Sequence, residues 1–314
     1  MAKGIVVALV IALVLIVSQF LFQNDTSILG SYFSPVAESQ EEQVPPSYPA
    51  WDPFIPEVGG VFTSRLVLSS QAAVSYDLTS DRLIFSKNSD ERLPMASITK
   101  IMTAFLALEE GMNKSYTVSP RAASIGENAM GLTQGEVLTL EELLYGLMLP
   151  SGNDAAEVIA EGSRYGRDGF VNEMNKRAKQ IGMNDTNFTN PTGLEGDGDQ
   201  YTTTLDLLKI TKLAMQNADF KKVVSTYEKE LPATSRHKYY HLFNDTNLLT
   251  SYPGVKGVKT GFTWEAGLCL VTYLEHEDTK IIAVLLNSQN RRQEMKDLLD
   301  FSLLELGKTP PVHE

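Results

Sequence analysis

The stretch Ser97-Ile98-Thr99-Lys100 begins an apolar run that continues to Leu108 and predicts a buried helix. Side chains at positions i and i+3 share one face of a helix, so Ser97 and Lys100 are expected to touch. A lysine among apolar neighbours loses hydration of its charged form, which lowers its pKa and lets it accept the proton of a serine hydroxyl. Taken alone, the stretch fits either a serine nucleophile with a lysine base or a helix start with a surface cation.

A second Ser-x-x-Lys, Ser235-Arg236-His237-Lys238, indicates that the spacing itself decides little. Ordinary composition produces it roughly once by chance in a chain of this length. The second copy lies in a polar stretch with no apolar helix behind it, so we expect Lys238 to stay solvated and charged. The interpretation of Ser97 and Lys100 therefore depends on other motifs in the chain.

Composition limits the classes of function that the chain can have. Its 314 residues, 43% of them hydrophobic, are enough for one large domain or two modest ones. The formal net charge of -12 argues against a nucleic-acid partner, because phosphate binding needs a basic face. Cys269 is the only cysteine, and Lys238 stands between His237 and His241 where a zinc-binding helix motif would have a glutamate. We therefore expect no metal ion and no cofactor.

The N-terminal segment predicts a membrane anchor over residues 1–24. Residues 4–22 are uncharged and mostly aliphatic, about the length that crosses a bilayer as a helix. A signal peptide has a shorter apolar region and a small-x-small cleavage site, so a cleaved segment, which would leave the protein secreted, is the alternative. Lys3 precedes the span and the next basic residue is Arg65, which predicts a single-pass protein of the cytoplasmic membrane with its domain on the extracytoplasmic side.

The rest of the chain divides into a linker, a folded domain and a short tail. Residues 25–60 contain six prolines among polar residues and predict an extended linker. Residues 61–307 form the domain, and 308–314 the tail. Strands are predicted at both ends of the domain, with helices between them. The pattern predicts an α+β fold in which an antiparallel sheet, built from both ends of the domain, is flanked by helices and carries a mainly helical insertion.

Three short motifs follow one another in order: Ser97-x-x-Lys100, Ser151-Gly152-Asn153 and Lys259-Thr260-Gly261. This trio is typical of penicillin-binding proteins and class A β-lactamases. From about Ser75 to Leu306 the chain resembles the low-molecular-weight penicillin-binding proteins, the serine D-Ala-D-Ala carboxypeptidases of peptidase family S11. The resemblance is carried by the residues around the three motifs and by one further segment, namely 93–100, 148–155, 188–194 and 255–263.

The resemblance implies a DD-peptidase/β-lactamase-like fold and a role for each motif. Ser97 would attack the carbonyl between the last two D-alanines of a peptidoglycan pentapeptide, and Lys100 would accept its proton. β-Lactams would acylate the same serine. The other implied roles are proton relay by Ser151, substrate-amide binding by Asn153, positive charge from Lys259, carboxylate binding by Thr260 beside Gly261, an oxyanion hole from the backbone N–H groups of Ser97 and Phe262, and a second carboxylate contact from Arg291 or its neighbour Arg292.

Several functions remain open on this resemblance. A D,D-endopeptidase would use the same residues on peptidoglycan cross-links. A β-lactamase is less well supported, because the region around Glu195 resembles the peptidase loop rather than the one that supplies a deacylating glutamate. A non-catalytic β-lactam sensor is also less well supported, because every catalytic residue type is present. Many relatives have a histidine where this chain has Phe262, which would contribute only its backbone to the oxyanion hole.

The second Ser-x-x-Lys gives a direct test of which motif reacts. Ser235→Ala and Lys238→Ala should leave covalent labelling by a fluorescent penicillin unchanged, because Lys238 has no apolar surroundings to lower its pKa. Labelling is read on a gel, with the unfolding temperature as a control for folding. Loss of labelling in a folded variant would mean that the reactive serine is not Ser97.

Overall fold

The structure is a computed structural model that describes Trp51, Pro53 and residues 66–313. The predicted anchor at 4–22 and most of the predicted linker lie outside the described residues. Within the described part of the chain, no helix has both the length and the apolar character needed to span a bilayer. The membrane anchor and its orientation therefore stay predictions.

A five-stranded antiparallel sheet forms the centre of the domain and confirms the predicted α+β fold. The two N-terminal strands pair with three strands from the end of the chain, in the spatial order β2-β1-β9-β8-β7. Two short ribbons, β3 with β4 and β5 with β6, lie outside this sheet and were not predicted. The strands are β1 Ala72–Asp77, β2 Arg82–Lys87, β3 Ser115–Thr117, β4 Val137–Thr139, β5 Glu228–Leu231, β6 Tyr240–Phe243, β7 Val255–Thr263, β8 Gly267–His276 and β9 Thr279–Ser288.

Helices cover both faces of the sheet. The sequence predicts most of them to within a few residues, but the short helices α2, α7 and α8 were not predicted. The motif Ser97-x-x-Lys100 starts in a 3₁₀ turn, Ala96–Thr99, before α1 begins. The helices are α1 Lys100–Leu108, α2 Pro120–Ala123, α3 Leu140–Met148, α4 Asn153–Gly162, α5 Gly166–Gln180, α6 Thr204–Gln216, α7 Ala218–Val224, α8 Leu248–Ser251 and α9 Arg291–Glu305.

The central strands are buried on both sides because their residues alternate between two hydrophobic clusters. Along β1, Val74 and Tyr76 pack into the larger cluster with the helical insertion, whereas Ala73 packs into the smaller cluster with α9. Strand β9 follows the same two-residue period, with Val284 on one side and Leu285 on the other. The helices that carry the candidate site are therefore packed against a sheet layer without a solvated face at its centre.

The predicted linker meets the domain at Trp51. The Trp51 ring lies edge-on to Tyr76, with ring centroids 5.3 Å apart and an interplanar angle of 87°. The Lys212 ammonium lies 3.5 Å from the centroid of the same indole ring, a cation–π contact. This part of the segment before residue 61 thus packs on β1 and α6.

Candidate active site

Two glycines allow the segments that carry the motifs to approach one another closely. At Gly261 in β7, a Cβ atom would lie 2.9 Å from the Met95 carbonyl oxygen. At Gly193, whose φ is +87°, a Cβ atom would lie 2.0 Å from the Ala96 carbonyl oxygen and 2.9 Å from the Ser97 nitrogen. The loop of residues 188–200, which contains Gly193, is called the 190s loop. Any side chain at Gly261 would push β7 away from Ser97, and any side chain at Gly193 would push the 190s loop away from it. These glycines therefore set the spacing of the site.

The 3₁₀ turn brings Ser97 and Lys100 together. In a 3₁₀ turn, side chains three residues apart eclipse one another. The Lys100 Nζ atom lies 3.0 Å from Ser97 Oγ, as the sequence predicts. Ala96, just before the serine, has a φ of 48°, a conformation that is uncommon for a residue with a side chain and is often found at functional sites. Ser97 itself is half-buried and lines a cleft.

Lys100 is fully buried, and its partners fit a neutral amine. Its Nζ lies 2.7 Å from Asn153 Oδ1 and 2.7 Å from the Thr192 carbonyl oxygen. Both of these oxygens can only accept hydrogen bonds. A neutral amine has two N–H groups for these oxygens and one lone pair left for the Ser97 hydroxyl. Burial lowers the pKa of Lys100 well below its usual value, and the charge of Lys259 lowers it further. The contacts place the amine beside the Ser97 hydroxyl, and the lowered pKa favours the neutral form that a general base needs.

The loop that contains Thr192 is held in place by Asn190. The Asn190 Oδ1 atom accepts hydrogen bonds from the backbone N–H groups of Thr192 and Gly193, at 3.1 and 2.7 Å. Asn190 is 1% exposed, so these bonds are shielded from water. They aim the Thr192 carbonyl at Lys100. The segment 188–194, for which the sequence suggested no role, therefore contributes one of the hydrogen-bond partners of Lys100.

Ser151 faces the cleft with an unused hydroxyl. Its side chain is 2% exposed, and its Oγ has no hydrogen-bond partner among the described residues. Its φ of 62° is again uncommon for a residue other than glycine. Gly152, which follows it, is packed so closely that a Cβ atom would lie 2.7 Å from the Gly146 carbonyl oxygen. A buried, unpaired hydroxyl in the same cleft as Ser97 is a candidate for a group that binds or transfers a proton.

Asn153 connects the lysine to a loop on the other side of the cleft. Its Oδ1 contacts Lys100, its Nδ2 donates to the Gly126 carbonyl at 3.2 Å, and its backbone N–H donates to the Asn128 carbonyl at 2.8 Å. The side chain is 2% exposed. Asn153 thus orients Lys100, and one N–H of its amide group remains for a substrate.

Lys259 is also buried, and Thr260 follows it at the edge of the cleft. Lys259 is 1% exposed, and its Nζ donates to the Thr260 carbonyl at 3.0 Å. Burial lowers the pKa of Lys259 to about 7, and the charge of Arg291 lowers it further, whereas Asp245 opposes the change. The lysine can therefore change its protonation state near neutral pH, and a carboxylate placed beside it would favour the charged form.

The cleft has a volume of about 440 Å³ and brings together most of the predicted site residues. Arg291 lies in its wall and donates through Nη1 to the Gly261 carbonyl at 2.6 Å. Arg292 is exposed and is not part of the wall. Within the described residues, no cluster of His, Cys, Asp and Glu could hold a metal ion. The lining residues are Ser97, Glu127, Asn128, Ser151, Asn153, Gly193, Leu194, Asp245, Thr260, Gly261, Phe262, Thr263 and Arg291.

Comparison with known proteins identifies the family. Residues 61–290 match the sequence profile of Peptidase_S11, described as D-alanyl-D-alanine carboxypeptidase. The chain belongs to this family of serine D-Ala-D-Ala carboxypeptidases. It is similar to the D-alanyl-D-alanine carboxypeptidase DacF of Bacillus subtilis (strain 168), with 36% identity over 264 residues, which cover 81% of this chain and 67% of the relative.

Two further similar proteins are an endopeptidase and a penicillin-binding protein with a bound β-lactam. A D-alanyl-D-alanine endopeptidase of Escherichia coli (strain K12) is 29% identical over 276 residues, covering 83% of this chain and 86% of the relative. The crystal structure of penicillin-binding protein D2 of Listeria monocytogenes, in its ampicillin-bound form, is 28% identical, with a TM-score of 0.66 over 76% of this chain and 98% of that chain. The predicted family and fold are therefore confirmed.

Sequence reasoning missed how Asp154 supports the site of this carboxypeptidase. Asp154 is in the first turn of α4, as expected of a helix-start residue. Its carboxylate also accepts hydrogen bonds from the backbone N–H groups of Met130, Gly131 and Leu132, at 2.8 to 2.9 Å. These bonds hold the loop whose residues 126 and 128 contact Asn153. The signal in the sequence was an acidic residue directly after the motif Ser151-Gly152-Asn153. Its hydrogen-bond partners could not be predicted, because they are more than 20 positions away in the chain.

Gly193 gives a test of whether close packing at the serine is needed. Gly193→Ala should slow acylation by a fluorescent penicillin about tenfold or more, because the added Cβ atom must displace the backbone of Ala96 and Ser97, and overpacking of this kind costs about 1–3 kcal/mol. Gly196→Ala is the matched control, since Gly196 also has a positive φ, +102°, but a Cβ atom there would have no neighbour within 4 Å. Acylation is followed by stopped-flow fluorescence. Equal rates in the two variants would contradict a role for the contact with Ala96 and Ser97.

Proposed function

We propose that Ser97 is the nucleophile and Lys100 the general base of this D-Ala-D-Ala carboxypeptidase. The observation that carries the proposal is the 3.0 Å contact between Lys100 Nζ and Ser97 Oγ. Asn153 and Thr192 occupy the other two positions around the amine, so its lone pair is directed at the hydroxyl. As Ser97 attacks the carbonyl carbon of the penultimate D-alanine, its proton moves to Lys100. The alkoxide character that develops on the substrate oxygen would be stabilised by the backbone N–H groups of Ser97 and Phe262.

Ser151 would complete the first half of the reaction. When the tetrahedral intermediate collapses, the departing D-alanine needs a proton on its amine. The unpaired Ser151 hydroxyl is available to pass the proton from Lys100 to that nitrogen, which leaves Lys100 neutral again. The remaining acyl-enzyme is an ester of Ser97, and attack by water on the same carbonyl releases the shortened peptide. A β-lactam ring would acylate the same oxygen.

The leaving D-alanine carries a free carboxylate, and positive charge at one end of the cleft favours its binding. Arg291 and Thr260 line the cleft, and Lys259 is buried beside Thr260. The guanidinium of Arg291 is largely desolvated, which lowers its pKa from the usual value and strengthens its attraction for an anion. This charge favours a carboxypeptidase acting on peptidoglycan pentapeptides. A D,D-endopeptidase remains the second candidate, because an endopeptidase is among the relatives.

D-alanine release gives the direct test of this function. Wild-type protein should release D-alanine from L-Ala-γ-D-Glu-L-Lys-D-Ala-D-Ala, and Ser97→Ala should abolish the release. Lys100→Ala should lower it by about 10²–10⁴-fold, the usual loss on removing a general base. Turnover is measured with a coupled D-amino-acid oxidase assay, and a cross-linked peptide dimer is assayed in parallel. Cleavage of the dimer without release of D-alanine from the pentapeptide would replace the carboxypeptidase by the endopeptidase.

Arg291 should matter more for the peptide than for the drug. A flexible peptide depends on its carboxylate for positioning, whereas a bicyclic penicillin is rigid. Arg291→Ala should therefore lower kcat/KM for D-alanine release more than it lowers penicillin acylation, and Arg292→Ala should change neither. An equal fall in both reactions would point to a structural role, because Arg291 also bonds to the Gly261 carbonyl. A selective loss in Arg292→Ala would show that Arg292, rather than Arg291, binds the carboxylate.

We also propose that residues 4–22 anchor the chain in the cytoplasmic membrane, with the carboxypeptidase domain outside. The apolar run and the position of Lys3 support this orientation. Peptidoglycan, the expected substrate, lies on the same side. The protein expressed with its whole sequence should sediment with membranes and resist extraction by carbonate, and its N-terminus should lie at or near Met1. A mature N-terminus within residues 23–60 would exclude the anchor and indicate a cleaved signal peptide.

A further inference from the structure

Two exposed aromatic side chains lie near the end of β7, where Phe262 lines the cleft and Trp264 comes two residues after it. Trp264 is 92% exposed and Phe262 is 49% exposed. Their ring centroids are 5.6 Å apart, with an interplanar angle of 68°, so the rings pack edge to face. A tryptophan is large and apolar and is rarely left this open in a folded protein. We call Phe262 and Trp264 the aromatic shelf.

The shelf is held on a fixed turn. Trp264 is the first residue of the turn that joins β7, which ends at Thr263, to β8, which begins at Gly267. Glu195 Oε1 accepts a hydrogen bond from the Glu265 backbone N–H at 2.9 Å, and Thr263 Oγ1 accepts one from the Ala266 N–H at 3.1 Å. The turn is thus bonded to the 190s loop on the other side of Ser97. A rigid aromatic surface loses little conformational entropy when it binds a ligand.

The direction in which the substrate lies along β7 follows from where its carboxylate and its reactive carbonyl are expected to bind. The leaving carboxylate is expected near Thr260 and Arg291, and the reactive carbonyl at the backbone N–H of Phe262. The substrate therefore passes along β7 from Thr260 towards Phe262. Both a strand and an extended peptide advance about 3.3–3.6 Å per residue. The residue that precedes the acylated D-alanine then lies beside Thr263, with the shelf within reach of its side chain.

We propose that the aromatic shelf binds the side chain of this preceding residue, the third residue of a stem pentapeptide, and selects a long aliphatic chain there. The proposal rests on the proposed function, because it needs the substrate direction given above. Packing of methylene groups on the indole face would remove the apolar surface of both from contact with water, which favours binding in proportion to the area covered. 6-Aminopenicillanic acid, which has a free amine in place of the amide that joins this residue to D-alanine, would leave Trp264 uncovered.

Three peptides that differ at the third position separate the parts of the proposal. They are L-Ala-γ-D-Glu-X-D-Ala-D-Ala with lysine, norleucine or alanine as X, and each is assayed for kcat/KM with wild type and Trp264→Ala. The variant should lose about tenfold with lysine and with norleucine, as expected for about two buried methylene groups, and less than about twofold with alanine. Its rate of acylation by 6-aminopenicillanic acid, which has no acyl side chain, should be unchanged.

Two further variants act as controls. Trp264→Phe keeps an aromatic ring and should recover most of the activity on the lysine and norleucine peptides. Tyr239→Ala removes another exposed aromatic side chain, 49% exposed, that lies just before β6 and bonds to Glu230, and it should leave all three peptides unaffected. The unfolding temperature of each variant is measured to confirm that the substitution has not destabilised the domain.

Several results would overturn the proposal. An equal fall with all three peptides, or no fall with any of them, would exclude a side-chain subsite on the shelf. A fall with lysine alone would assign the effect to its ammonium group rather than to packing. Weaker binding of Trp264→Ala to phosphatidylglycerol vesicles, with unchanged kinetics, would assign the shelf to a lipid surface. The proposed function itself would fail separately, because wild type would then release D-alanine from none of the peptides.

Discussion

The site depends on holding the Lys100 amine in a place without water. Burial removes hydration from the charged form, and the oxygens of Asn153 and Thr192 then take the two N–H groups of the neutral form. The Nζ atom also lies 3.0 Å from Ser97 Oγ, so a neutral amine would have its lone pair free for the hydroxyl. A solvated lysine at the same distance would be charged at neutral pH and could not accept the proton. The chemistry therefore depends on the packing of the surrounding elements rather than on the two residues alone.

That packing comes from distant parts of the chain. The sheet joins strands from both ends of the domain, so β7 is brought beside the 3₁₀ turn, and Gly261 and Gly193 allow backbone atoms to meet there. Asn190 aims the Thr192 carbonyl, and Asp154 holds the loop that contacts Asn153. Each of these residues sets a position for another group. The apolar interior of the sheet and helices makes the arrangement rigid enough to keep the lysine dry.

Sequence reasoning predicted the parts whose signal is local. Alternating apolar residues predicted the strands at both ends, and the order of three motifs predicted that Ser97, Ser151 and Thr260 would meet at one cleft. It did not predict the acidic residues Glu127 and Asp245, which line that cleft. Both stand in loops whose positions are fixed by contacts with distant segments, and no periodic pattern marks such residues. That Arg291 rather than Arg292 lines the cleft also required the structure, because the two are adjacent at the start of α9.

The pKa of Lys100 is the quantity that tests this account most directly. Protein labelled with ¹³C at the lysine Cε positions can be titrated by NMR, with the Lys100 signal assigned from Lys100→Arg and the Lys259 signal from Lys259→Arg. We expect Lys100 to change its protonation state well below the usual value of about 10.4 for a lysine, so that the amine is largely neutral at the pH at which the enzyme acylates. A Lys100 signal that titrates near 10, in protein that is still acylated by penicillin at neutral pH, would contradict the assignment of this residue as the base.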